Sequence, residues 1–195
     1  GVATVSFERE ARVTEYRVGP QGAGKPVRDL DFLIPRRELR YNAGMETVVR
    51  APEASPLKGA RVVIAERSID SEGNIFAAVL EGPRKGIFKV VRSDSFDVTD
   101  GAFLPGGDLI LLERRFTRPI SVGMRLRRIE GGSIRPGAVV DGEVLMEADL
   151  SSRIDNMEAL DIWRRDDGKL VVSVMSDDNQ SFLQRTLYLE FLLGE

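Results

Sequence analysis

The chain has no cysteine and no histidine among its 195 residues. The first absence excludes disulfides, thiolate nucleophiles and sulfur-ligated zinc. The second excludes a serine–histidine–aspartate triad, imidazole proton transfer and histidine metal sites. Charge of one sign is also missing. With 28 Lys and Arg against 31 Asp and Glu, the net charge of −3 creates no global field to draw in nucleic acid or an anionic membrane. No apolar run approaches the length needed to span a bilayer. Helix-period segments are nearly absent, since "SPLKGA" and "SSRIDNMEA" are too short or interrupted. Any chemistry is therefore left to carboxylates, Arg, Lys, Tyr or a hard metal ion.

What is present is strand after strand. "ATVSFE", "RVTEYRV", "METVVRA", "RVVIAE", "DLILLE", "GMRLRRI" and "KLVVSVM" are short, rich in β-branched and large apolar residues, and often alternating. Turn residues separate them, as in "SEGN", "LPGGD" and "RRDDGK". Gly168 after Asp166 and Asp167 supplies the positive φ of a tight hairpin. The chain reads as all-β.

A repeat lies over these strands. A Glu-Arg dipeptide closes an apolar strand at Glu8-Arg9, Glu66-Arg67 and Glu113-Arg114, and Asp177-Asp178 stands in the equivalent place. The strand before each of the last three carries its own acid: Glu46, Asp100 and Glu158. The spacing is close to that of β-propeller blades with loop insertions. We therefore expect one propeller-like domain over 1–195, with 1–35 as part of a preceding blade plus a loop, blades at 44–92 and 96–150, and an incomplete closing blade at 155–195. About three and a half blades do not close a ring. The chain, which begins at Gly1, is expected to be a processed or trimmed C-terminal part of a longer propeller, completed by N-terminal blades or by a second copy in a homodimer. A β-sandwich is the alternative, which would explain the strands but not the repeated acids.

Other motifs carry less. "GPQGAGKP" matches Gly-x-x-x-x-Gly-Lys and then has Pro26 where a P-loop needs Ser or Thr, so it reads as a connecting loop. "DSEGN" reads as a hairpin turn rather than a calcium loop. Ser133 in "GGSIRPG" lacks the nucleophile-elbow pattern and any histidine to activate it. Trp163 alternates with its strand and reads as packing. Arg125, Arg127 and Arg128 in "MRLRRIE" read as a solvated edge whose charge opposes aggregation, not as a nucleic-acid surface.

"VSFEREARVTEYRV", "NAGMETVV", "DGAFLPGGDLILLERRF" and "IDNMEALDI…VVSVMSDDNQSFLQRTLYLEFLL" together resemble the phytase-like family described by esterase-like activity and found in exported bacterial proteins. The resemblance runs through nearly the whole chain and departs from the family pattern at Thr47, where Gly or Ala is expected. It implies a propeller with a hydrolytic site for a small anionic ester, and a periplasmic or secreted location.

In a propeller, acids at equivalent strand ends converge on one channel mouth, where they cost several kcal/mol each unless paired or metal-bound. On this expectation Glu158, Asp177 and Asp178 are the catalytic candidates. Arg67, Arg114 and Arg185 would bind substrate. Glu46, Glu66, Asp100, Glu113 and Asp155 would hold Ca²⁺ or Mg²⁺, which activates water for hydrolysis of a phosphate or related ester. The competing reading makes the acid–arginine pairs structural staples between blades of a non-catalytic module that binds a ligand or a protein.

Overall fold

A computed structural model describes residues 1–7, 10–41, 44–117 and 121–194. The protein is all-β, with one 3-10 turn (Arg36–Glu38) and no α-helix among the described residues. The strands form four separate small sheets that follow one another in the sequence. The first sheet holds β1 (Val2–Phe7), β2 (Arg12–Gly19) and β3 (Gly22–Leu30). The second holds β4 (Met45–Arg50), β5 (Arg61–Ile69), β6 (Ile75–Val79) and β7 (Gly86–Val90). The third is built from β8 (Asp97–Phe103), β9 (Leu109–Thr117) and β10 (Ser121–Ile129). The chain then returns to the second sheet as β11 (Val139–Val140), parallel to β7, before β12 (Glu143–Asp149) completes the third sheet. The fourth sheet holds β13 (Met157–Arg164), β14 (Leu170–Ser176) and β15 (Tyr188–Leu192). All pairings except β11 with β7 are antiparallel, and all of these except β10 with β12 join strands consecutive in the chain.

Sequence pattern explains the stacking order. Inner sheets are covered on both faces, so their strands carry continuous apolar runs: Val62 to Ala65 on β5 and Leu109 to Leu112 on β9 are all fully buried. Alternate residues of those runs belong to different cores. Val63, Met45 and Phe76 meet Val13, Phe32 and Ile34 of the first sheet and its following loop. Val62 and Ile64 meet Val98, Leu109 and Leu111 of the third. On the other face of the third sheet, Ile110, Leu112, Met124 and Leu126 pack on Met157, Leu160, Val172 and Val174 of the fourth. The first strands of the last three sheets lie side by side, β4 beside β8 and β8 beside β13.

One loop reading and one edge reading need correction. "GPQGAGKP" is not a free connection: Gly19 ends β2, Gly22 with φ of 97° opens β3, and Pro26 lies in that strand opposite Tyr16. The irregular pairing around Pro26 is the reason its sequence looks unlike a strand. The second concerns β10, which is no edge. It is flanked by β9 and β12, and Arg125 and Arg127 are only 1% exposed. Asp70 to Asn74 forms the expected turn, with Asp70 Oδ1 accepting the backbone N–H groups of Glu72 and Asn74.

Candidate functional site

Three first strands carry the same irregularity. Pairing shifts register between Met45 and Thr47 on β4, between Val98 and Asp100 on β8, and between Met157 and Ala159 on β13. The extra residues are Glu46, Thr99 and Glu158, and a bulge of this kind redirects a side chain at the end of a sheet. On the facing strands, Ala65, Glu113 and Ser176 pair with Met45, Val98 and Met157. The next residues, Glu66, Arg114 and Asp177, are therefore equivalent. The repeat read from sequence is displaced by one residue in the third sheet, where Thr99 and Arg114 hold the places expected for Asp100 and Glu113. A slip of one residue moves a side chain to the other face of its sheet.

Arg114 is the centre of the resulting cluster. Its side chain is 15% exposed, and Nη2 donates to Glu66 Oε1 from the second sheet at 3.2 Å. Nη1 donates to Glu158 Oε1 on β13 of the fourth sheet and to Asn156 Oδ1 in the turn before it. Asn156 Nδ2 donates in turn to Glu158 Oε1 at 2.6 Å and to the backbone carbonyl of Asp177 at 3.2 Å. The Asp177 N–H donates back to the Asn156 carbonyl at 3.0 Å. Residues from three sheets thus meet at one guanidinium, which lies 5.1 Å from the Phe116 ring. Both bonds to Glu158 go to Oε1, leaving Oε2 without a partner among the described residues on a side chain that is 36% exposed.

The other sequence candidates separate from this cluster. Glu113 faces the opposite side of β9, where it is fully buried between Arg125, whose Nε lies 2.7 Å from Oε2, and Arg127. Arg127 also reaches Asp141 at 2.6 Å, and the Arg125 guanidinium stacks 4.2 Å from Phe96. Glu113 is thus the counter-charge that lets two arginines enter the interior of β10, and it cannot reach a channel mouth. Asp100 joins sheets: Oδ2 accepts the Leu160 N–H and Oδ1 the Gly101 N–H, each at 2.8 Å. Burial pushes its carboxyl up to about 6, against the pull of those two amides. Asp97 accepts from Arg92 at 2.7 Å and lies 3.7 Å from Arg67.

Of the other two catalytic candidates, Asp177 is exposed and Asp178 half-buried. Their oxygens shape the turn instead. Asp177 Oδ1 accepts the Asn179 N–H, Asp178 Oδ1 accepts the Gln180 N–H, and Asp178 Oδ2 accepts the Thr186 hydroxyl. Asn179 and Gln180 both have positive φ, a conformation that such side-chain to backbone bonds help to hold. Asp155 accepts the N–H groups of Asn156 and Arg185. Glu46 is half-buried at its bulge. Glu8 and Arg9 lie outside the described residues.

Among the described residues, no group of three or more acids is placed to hold a metal ion. Between Glu66 and Glu158, the position a dication would need is taken by the Arg114 guanidinium. This donor set suits an arginine bridge better than Ca²⁺ or Mg²⁺, which require six or more oxygens. Glu66, Arg114 and Glu158, expected from the sequence as metal ligand, substrate contact and catalytic acid respectively, meet in one cluster, and Asn156 joins them.

Against known families, the Phytase-like model, described as esterase-like activity of phytase, matches residues 1–180. No curated protein and no solved structure matches the chain.

Proposed function

The chain belongs to the Phytase-like family, and from that premise we propose that it forms part of a hydrolase acting on a phosphate ester or related small anionic ester at the cluster around Arg114. The observation that carries this reading is the convergence of Glu66, Arg114, Asn156 and Glu158 from three sheets, with one Glu158 oxygen left for chemistry. Glu158 Oε2 takes the proton as water attacks phosphorus, the ester P–O bond breaks, and the leaving oxygen is protonated from solvent. Arg114 orients Glu158 and sets positive charge beside the developing oxyanion.

We infer that the four stacked sheets are blades of an incomplete β-propeller. In support, successive sheets share separate apolar cores and their first strands are neighbours. The open ends would be covered by further blades or by a second copy.

A second reading is favoured by the same arginine bridge. Glu66 and Glu158 are neutralised across three sheets, as staples in a non-catalytic binding module would be. Assays of the protein with p-nitrophenyl phosphate and p-nitrophenyl acetate, with and without chelator, separate the two. We expect chelator-insensitive phosphoester turnover that Glu158→Gln lowers about 100-fold, the low end of what a positioned general base contributes. No turnover of either ester, or turnover unaffected by Glu158→Gln, would leave the binding module. Loss of turnover on chelation would restore the metal.

A further inference from the structure

Beside the Arg114 cluster lies a cavity of about 590 Å³, between the turn that enters β13 and the segment that leads into β15. Arg153 and Arg185 line it together with Asp155, and Ile154, Leu183 and Leu187 form its apolar wall. The charges in this cavity are used unequally. Asp155 is committed to backbone, accepting the Asn156 N–H through Oδ1 at 2.8 Å and the Arg185 N–H through Oδ2 at 3.0 Å. Neither guanidinium has a hydrogen-bond, ion-pair or ring partner among the described residues. Most arginines among the described residues are paired, including the half-buried Arg61 and the buried Arg125 and Arg127.

The backbone beneath Arg185 is fixed on both sides. Asp155 holds its N–H, and its carbonyl accepts the Ser176 hydroxyl at 2.6 Å. Arg153 stands on a tight turn closed by the Ser152 N–H to the Asp149 carbonyl and the Ile154 N–H to the Ser152 carbonyl. Two guanidinium forks rising from fixed turns into one cavity match a tetrahedral oxyanion, which each can contact through paired N–H groups. The leucine wall suits an apolar substituent on that anion rather than inorganic phosphate alone.

We propose that this cavity is an anion subsite in which Arg153 and Arg185 hold the phosphoryl group of an ester whose apolar body rests on Leu183 and Leu187. The choice of an ester rests on the hydrolase reading, whereas binding of the anion does not require turnover. Asp155, which lines the subsite, is followed directly in the chain by Asn156, which belongs to the Arg114 cluster.

Calorimetric titration with phenylphosphonate, whose C–P bond is not hydrolysed, tests binding apart from catalysis. We expect saturable one-to-one binding that Arg153→Gln and Arg185→Gln each weaken about tenfold or more, the loss of one charged hydrogen-bonding partner. Both side chains are exposed, and unchanged circular dichroism of the variants establishes that they fold. Inorganic phosphate should bind more weakly, and phenol should not bind. Failure of phenylphosphonate to saturate the protein, or equal affinity in both variants and the parent, overturns the subsite. Inorganic phosphate binding as tightly as phenylphosphonate overturns the role of the leucine wall. Binding without turnover of p-nitrophenyl phosphate keeps the subsite and removes the hydrolase reading.

Discussion

Glu113 shows how one side chain decides the state of two others. With no exposed surface, it receives Arg125 and Arg127 from the neighbouring strand, and these are themselves almost fully buried. Removing its charge leaves two guanidiniums in the interior with Asp94 and Asp141 as the remaining carboxylates, at their outer ends. We expect Glu113→Gln to destabilise the fold by about 3–5 kcal/mol, the cost of breaking a buried ion pair from one side. Denaturant midpoints of the two proteins check this, and a change below 1 kcal/mol, about the worth of a surface pair, would show that the network is not coupled. The sequence pattern shows the arginines but not their surroundings. "MRLRRIE" reads equally as a solvated edge, because the carboxylate that permits burial lies twelve residues away from Arg125 on β9.

Strands were legible wherever apolar residues ran together or alternated, and the fold class follows from them. Register was not. A bulge at Glu46, Thr99 or Glu158 leaves no mark in composition, so acids that look equivalent in the repeat end on opposite faces. Glu66, Arg114, Glu158 and Arg185 could be picked out as charged residues beside strand ends, whereas Arg153 and its place beside Arg185 become visible only once two turns are brought together. Asp100 carries the consequence of its bulge into pH dependence. Because burial raises its carboxyl from 3.8 to about 6, the folded state binds the proton more tightly than the unfolded chain. Its contribution is fully present below its ordinary value and lost as pH rises through about 6, up to about 3 kcal/mol. Glu15, held at about 2 by hydrogen bonds from Arg28 and Arg61, acts in the opposite sense, and its contribution is lost as pH falls from 4.5 towards 2. Melting temperature should therefore decline between pH 4.5 and 7 in the parent and decline less in Asp100→Asn. Parallel profiles would remove Asp100 as the titrating link between the third and fourth sheets.

On the scale of the whole molecule, the stack ends on two uncovered faces. The fourth sheet presents Trp163, Met175, Tyr188 and Leu192 at its outer side, with Asp161 and Glu190 in the row between them. Trp163 is the single tryptophan and is 38% exposed, so its emission reports on this face. If a second copy covers it, the emission shifts to the blue as protein concentration rises, in step with the mass measured by light scattering. A monomeric mass with an invariant spectrum would leave further blades of the same protein as the cover.

The short parallel strand β11 has a different kind of consequence. After leaving the third sheet, the chain crosses to the second, where the Lys89 and Val91 N–H groups donate to the carbonyls of Ala138 and Val140, and then turns back to finish the third. Arg84 grips the same crossing through the carbonyls of Gly131, Gly132 and Ile134. The path therefore works as a clasp. The middle two layers cannot peel apart without first unfastening this strand, whereas the outer layers share no strand with their neighbours and are tied to them by the covalent chain, packing and side-chain bonds such as those of Arg61, Asp100 and Arg114. Wear on the molecule, whether by heat or by a protease, would begin at the ends of the stack and reach the clasped pair last.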